Sequence, residues 1–200
     1  MTRFRLKDLR DLFVVVIHPS DSDGQAILEQ MNRIGCRTEL IWPPARVIPP
    51  GADVVFAGLF FDSRDELRAM LRRSEKPGPA IIGVADYENP VMLELVLDIG
   101  ASAVTSKPVR SFDMLSNLVV AYTGLRRQLE AQDKIAKLEK QLRGQRTIAK
   151  AKSILIGMHG LSEQDAYKTI RQQAMSKRTS IEDMAQAIIN ANELLSARPS

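Results

Sequence analysis

The sequence predicts an α/β fold, a doubly wound parallel five-stranded sheet followed by a long coiled-coil helix and a small three-helix C-terminal module. Three observations predict it. Short β-branched runs alternate with helical periodicity over residues 1–110, a proline-free, heptad-like pattern covers 111–145, and two capped amphipathic segments follow within 146–200.

Each element has its own signal. Leu12–Ile17 is a continuous apolar run, the mark of a strand buried on both faces. Ser20 or Asp21 can cap a helix carrying Ile27, Leu28, Met31 and Ile34 on one face, which Gly35 ends. Thr38–Trp42 reads as a second strand, and the proline-rich loop to Gly51 leaves no room for a full helix. Asp53–Ala57 is a third strand, after which Asp62 is expected to cap a helix through Leu67, Met70 and Leu71. Ala80–Ala85 is a fourth strand; Asn89-Pro90 opens the next helix and Gly100 closes it. Ala101–Thr105 is the fifth strand and runs into Lys107-Pro108. Alternation of this kind implies parallel pairing with right-handed crossovers.

From Ser111 to about Met158 no proline interrupts. Leu118, Tyr122, Leu125 and Leu129 recur at spacings of four and three, and Ile135, Leu138 and Leu142 resume the pattern after a phase slip. Near-heptads separated by charges predict a homodimeric coiled coil, with the slip read as a stammer. Ser162–Asp165 starts the next helix, and Thr179-Ser-Ile-Glu182 has the form of a capping box before Ile181, Met184, Ala185, Ile188 and Ile189. Ala166, Ala174 and Ala185 would let these helices pack closely on the long one.

Composition narrows the function. An apolar share of 44% supports a core, and one cysteine excludes a disulfide framework. With only two histidines besides, a transition-metal cluster is not expected. No apolar run approaches the roughly 20 residues that cross a bilayer, and no targeting segment is visible, so a soluble cytoplasmic protein is expected. From Arg126 onward lie fourteen basic and eight acidic residues, against fourteen and sixteen before it. A polyanion would therefore meet the second part. There Arg143, Arg146 and Lys150 fall within roughly 60° on a helix, and Lys168 with Arg171 and Lys177 with Arg178 add further cations. Tyr167 is the one stacking candidate, and it could equally pack on the long helix. His159 stands at a helix end without an acid neighbour and is read as capping carbonyls, not as catalytic.

Five βα units, an acid-rich turn after the first strand and Lys-Pro after the last resemble a response-regulator receiver. In that family two acids after the first strand bind magnesium, an aspartate ending the third strand takes the phosphoryl group, and a hydroxyl and a lysine complete the site. His18 and Pro19 stand here where the acids belong, Gly58 falls at the acceptor position beside Ala57, and the hydroxyl falls on Val84 or Ala85. Only Lys107 matches. Magnesium needs hard oxygen ligands and phosphoryl transfer needs a nucleophile, so this site is expected to be a degenerate phosphorylation site with no enzymatic activity. Asp21 and Asp23 could gather a cation, but a helix N-cap and a first-turn acid are the favoured readings. Lys107 is either a solvated turn residue or a phosphate ligand.

Residues 148–189 resemble the ANTAR domain, the RNA-binding module of transcription antiterminators. Ala151-Lys152, the run Ile154–Met158, His159-Gly160, Ala166, Ala174-Met175, Lys177-Arg178 and the Ala185/Ile188 stripe carry the match. Receiver outline, coiled coil and this module in that order, with IGC at 34–36 and WPP at 42–44, resemble the AmiR-like antiterminators. The resemblance implies binding of leader mRNA hairpins that prevents terminator formation. The long cations of this basic segment, Arg146, Lys150, Lys152, Lys168, Arg171, Lys177 and Arg178, are then the expected contacts. The resemblance also implies control by a cytoplasmic ligand sensor of the periplasmic-binding-protein type that sequesters the regulator, in place of phosphorylation. No cofactor, metal site or membrane partner is expected. Two other readings compete: a DNA-binding factor of response-regulator type, against which the last helix is poor in base-reading side chains, and a coiled-coil adaptor without nucleic acid.

Overall fold

The computed structural model describes residues 5–74, 77–86 and 90–196. It contains five strands, β1 (Phe13–Ile17), β2 (Arg37–Ile41), β3 (Val54–Leu59), β4 (Ala80–Ala85) and β5 (Ala103–Ser106). Six α-helices accompany them: α1 (Ser22–Ile34), α2 (Arg64–Arg72), α3 (Pro90–Asp98), α4 (Ser111–His159), α5 (Glu163–Ser176) and α6 (Ile181–Ser196), with a short 3₁₀ helix at Leu6–Asp11. The strands form one parallel sheet in the order β2-β1-β3-β4-β5. The chain divides into two compact units, Met1–Glu130 and Ala131–Ser200.

In the first unit the central strands are sealed on both faces, as their continuous apolar character requires. Every residue of β1 and β3 is buried, and the strand period of two sends alternate side chains to opposite layers. Val14, Val16, Val54 and Phe56 meet Ile27 and Met31 of α1 and Met114, Leu118 and Ala121 of α4. Val15, Ile17, Val55, Ala57 and Leu59 meet Leu67, Met70 and Leu71 of α2 and Leu95 of α3. β2 is an edge strand and stays partly exposed.

Local signals held with small shifts. Asp21 is the N-cap of α1 and accepts the N–H groups of Asp23 and Gly24. Gly35, at φ 96°, closes the helix in the left-handed conformation that glycine adopts without strain. Asp53 lies just outside β3, where its carboxylate accepts the Phe13 N–H at 2.9 Å. The expected cap on α2 is corrected: the N-cap position is Ser63, without a side-chain cap bond, and Asp62 sits in the preceding turn. Asn89, expected to open α3, lies outside the described residues, and the helix begins at Pro90.

α4 corrects part of the expected dimer stripe. Leu118 is wholly enclosed, and Tyr122 and Leu125 lean on the same cluster, so this portion of the helix completes the sheet's own core. The reason is geometric: the sheet's open face needs about three helical turns of cover, not the first turn alone. Leu129 is half-buried, whereas Ile135, Leu138 and Leu142 are 55%, 53% and 48% exposed.

The second unit is a three-helix bundle. α4 ends at His159, and Gly160 turns the chain at φ 63°. α5 starts beside Lys152, α6 starts beside Gly144, and Glu193 near the end of α6 reaches Lys150, so the helices run up, down and up. Ala151, Ile170, Ala174, Met184, Ala185 and Ile189 form the core, with Ala166 also fully buried. A Cβ at Gly144 would meet the exposed Glu182 side chain at 3.0 Å, which shows how close α6 starts to α4. Ser162 caps α5 as expected, accepting the Asp165 N–H. The cap of α6 moves one residue along: Ser180 Oγ accepts the Asp183 N–H at 3.0 Å, while Thr179 stands outside. Among the described residues no helix is long and apolar enough to cross a membrane.

Candidate functional site

Two places carry functional geometry, one in each unit. The first lies at the carboxyl ends of β1 and β3, where a doubly wound sheet places its ligand crevice. Ile17 pairs with Ala57 and Gly58 pairs with Val84, so His18 and Gly58 meet at the mouth of the crevice. They meet closely: a Cβ on Gly58 would fall 2.4 Å from Phe60 Cε2, 2.9 Å from His18 Cδ2 and 3.1 Å from the Ile17 carbonyl oxygen. Side chains therefore fill the space that an acceptor carboxylate would need.

The filling is an aromatic and cationic cluster. The Phe60 ring packs edge-on against His18 at 5.2 Å and against Trp42 at 5.1 Å. Lys107 Nζ lies 4.4 Å above the same ring and pairs with Asp86 Oδ1 at 2.8 Å. Lys107 is thus largely enclosed, held between Asp86 and the Phe60 ring at the crevice. His18 is fully buried; its Nδ1 stands 3.0 Å from the Pro19 carbonyl oxygen and 3.2 Å from Asp21 Oδ1, which favours the Nδ1–H tautomer. Val84 belongs to the core and offers no hydroxyl.

The two acids expected in this turn are engaged in holding it. Asp21 caps α1, and Asp23 Oδ1 accepts the Val109 N–H at 3.0 Å, tying the end of the sheet to α1. Partial burial pushes the Asp21 carboxyl up, but the Gly24 N–H, His18, Lys107 and the Asp23 N–H outweigh it and hold the group below the ordinary carboxylate value. Among the described residues no three acids, histidines or cysteines converge on a metal position.

The second place is the helical module. Its seven expected contact residues separate into two sets. Lys150 donates to Glu193 at 2.8 Å, and Lys152, the less exposed of the two, donates to Glu163 at 2.5 Å. These pairs flank the buried Ala151 and tie α4 to α6 and to α5. Lys152 holds the Glu163 carboxyl below its ordinary value through that hydrogen bond and its charge. Arg146, Lys168, Arg171, Lys177 and Arg178 are exposed and have no ion-pair partner among the described residues. Arg178 takes a left-handed φ of 52° in the turn between α5 and α6.

Residues 12–122 match the family model described as "AmiR, N-terminal", and residues 136–189 match the ANTAR domain. The chain belongs to the AmiR family. It is 29% identical to the aliphatic amidase regulator of Pseudomonas aeruginosa over 195 residues, covering 98% of this chain and 96% of the relative. It is 26% identical to the transcriptional regulatory protein PdtaR of Mycobacterium tuberculosis over 137 residues, or 68% of this chain and 67% of that one. The receiver fold is shown independently by a CheY-like receiver domain protein of Methanospirillum hungatei. It superimposes with a TM-score of 0.52 at 15% identity, over 59% of this chain and 98% of that one. This AmiR-like chain is an ANTAR-type regulator of transcription antitermination.

The AmiR-family match ends at residue 122, inside α4, consistent with the helix's first turns serving the sheet. Residue-by-residue reading missed the partners within each site. Phe60 directly after β3 was the available signal for a filled crevice, whereas its neighbour Phe61 is 58% exposed and lies under Arg64. Glu163 and Glu193 gave no signal, since their lysines lie 11 and 43 residues away.

Proposed function

We propose that this AmiR-family regulator binds hairpins in leader mRNA as a homodimer and so prevents a terminator from forming. Its input is a ligand-sensing protein partner and not phosphorylation. The observation that carries the RNA reading is the exposed set Arg146, Lys168, Arg171, Lys177 and Arg178 on an ANTAR module, without ion-pair partners among the described residues. Long cations at that density suit a phosphate backbone, and their contacts release counterions. Control by a partner is supported by the crevice, where Gly58 and Val84 supply no acceptor and Phe60 occupies its space. Dimerisation is supported by Ile135, Leu138 and Leu142, which remain about half exposed along α4.

The test is a titration of a leader RNA hairpin against a DNA duplex of matched sequence, at several salt concentrations. RNA is expected to bind more tightly, with log affinity falling by about 0.7 per contacting cation as log salt rises. Arg146→Ala and Lys177→Ala should each shallow that slope by about one contact. Equal binding to the duplex would favour a DNA-binding factor, and no binding to either would favour an adaptor.

A further inference from the structure

The dimer seam is short for its task. With Leu118, Tyr122 and Leu125 committed to the sheet, Ile135, Leu138 and Leu142 span little more than one heptad. A coiled coil is usually sustained over about three or four heptads, and a stable dimer removes roughly 1,200 Å² or more from water. Three side chains that are already half-buried supply far less than that. Counting back in sevens from Leu138 gives Ala131, Gly124 and Asn117, and from Ile135 gives Gln128 and Ala121, none of them charged. A seam extended in this register follows α4 along the side that carries Asn117.

That side adjoins an uncovered apolar face of the first unit. Asn117 Nδ2 donates to the Val104 carbonyl oxygen at 3.2 Å, which sets it against the edge strand β5. Val120, one turn further along α4, is 60% exposed and Val104 42%. A Cβ on Gly83 would meet Val104 Cγ2 at 3.7 Å, beside Leu59, so Val104 faces the layer of α3. α2 holds one flank of α3 through Arg68 and Asp98. Leu93 and Leu97 lie roughly 140° and 100° round that helix from Asp98, on the flank away from α2, and are 60% and 79% exposed. The opposite edge strand, β2, exposes Arg37 and Glu39, charges that deter a neighbour, whereas β5 carries no charge. A contiguous apolar face of this kind marks an interaction site. A parallel coil sets both first units beside one two-fold axis, each with its Asn117 side inward, so a second copy is the occupant at hand. We infer that the face made by Leu93, Leu97, Val104 and Val120 packs on the same face of a second copy, an isologous contact that completes the short seam. The inference rests on the homodimer reading and adds the surface that makes the dimer stable.

The test measures the dimer dissociation constant of the full chain by sedimentation equilibrium. Leu97→Glu and Val120→Glu should each raise it at least about tenfold, because a two-fold contact takes up every introduced charge twice. Phe112→Glu is the control: Phe112 is 77% exposed on the same helix as Val120, but lies roughly 140° round it from Asn117. That variant should leave the constant within about twofold of wild type. Circular dichroism checks folding, and Leu97→Gln with Val120→Gln takes over, with the same direction expected, if a glutamate variant melts early. A wild-type dimer whose dissociation constant is unchanged in Leu97→Glu and Val120→Glu overturns this inference and gives the face to a different partner, while the seam stands. Equal weakening by Phe112→Glu overturns it too, since the effect would then belong to added charge and not to this face. A wild-type chain that stays monomeric at micromolar concentration overturns the homodimer reading as well.

Discussion

Placing a methyl group on Gly58 tests whether the acceptor crevice is truly filled. The added Cβ lies 2.4 Å from Phe60 Cε2, 2.9 Å from His18 Cδ2 and 3.1 Å from the Ile17 carbonyl oxygen. Phe60 is only half-buried and can swing outward, giving up its contacts with His18, Trp42 and Lys107. His18, fully buried, and the backbone oxygen cannot move as cheaply. Overpacking of this kind costs about 1–3 kcal/mol. Replacing a strand glycine with alanine returns about 0.5–1 kcal/mol of backbone entropy. The buried ring and the carbonyl oxygen place the overpacking in the upper half of that range, about 2–3 kcal/mol, so the net expected loss is about 1–2.5 kcal/mol. Trp42 is the only tryptophan and packs on Phe60, so its fluorescence during urea unfolding reports on the first unit alone. Phe60→Ala removes the nearest obstacle, so Gly58→Ala should cost less in that background, with a coupling of at least about 0.5 kcal/mol. Gly58→Asp meets the same obstacles and should take no phosphoryl group from acetyl phosphate by intact mass. A loss below about 0.5 kcal/mol for Gly58→Ala, or strict additivity with Phe60→Ala, would refute the argument that these side chains fill the site.

Two further predictions concern oligomerisation and acid. Ile135→Lys with Leu138→Lys should convert a dimer to a monomer in light scattering, because each would place a charge in the seam at a cost of several kcal/mol. A wild-type chain that is monomeric at micromolar concentration sinks the seam. Asp21 has a depressed folded-state pKa, so its stabilising contribution is full above the unfolded carboxylate value and is lost as pH falls through the folded one. Asp21→Asn preserves an N-cap while removing the titration, so the stability of the first unit should fall less steeply with acid than in wild type. Parallel pH profiles for the two would show that Asp21 is not the group responsible.

The sheet was legible because its signals are local and redundant. The shortness and β-branching of Phe13–Ile17, with turn residues after it, mark a doubly buried strand, and Gly35 can close α1 at φ 96° without penalty. The absence of a carboxylate at Gly58 and of a hydroxyl at Val84 was legible too, since it depends on residue type alone. What occupies the crevice in its place was not, because Trp42, Phe60, Asp86 and Lys107 come from four separate segments that only folding assembles. Heptad spacing likewise assigned Leu118, Tyr122 and Leu125 to a dimer seam, although the same period serves a helix lying on its own sheet. Cap positions shifted by one at α2 and α6, where adjacent residues, Asp62 with Ser63 and Thr179 with Ser180, both carry side chains able to cap.

The core of the second unit has a thermodynamic character of its own. Ala151, Ala174 and Ala185 supply half of its six enclosed side chains. Alanine loses no rotamer freedom on burial, but it removes little apolar surface from water. Ile148, Ile154, Leu155, Ile181 and Ile188 pack around that centre but are only partly buried, so closure leaves smaller reserves than a core of larger enclosed side chains would. A ligand that binds only the closed form adds to those reserves in proportion to the logarithm of its concentration over Kd. For this module, holding its target and holding its own shape become the same equilibrium, and melting temperature becomes a measure of occupancy.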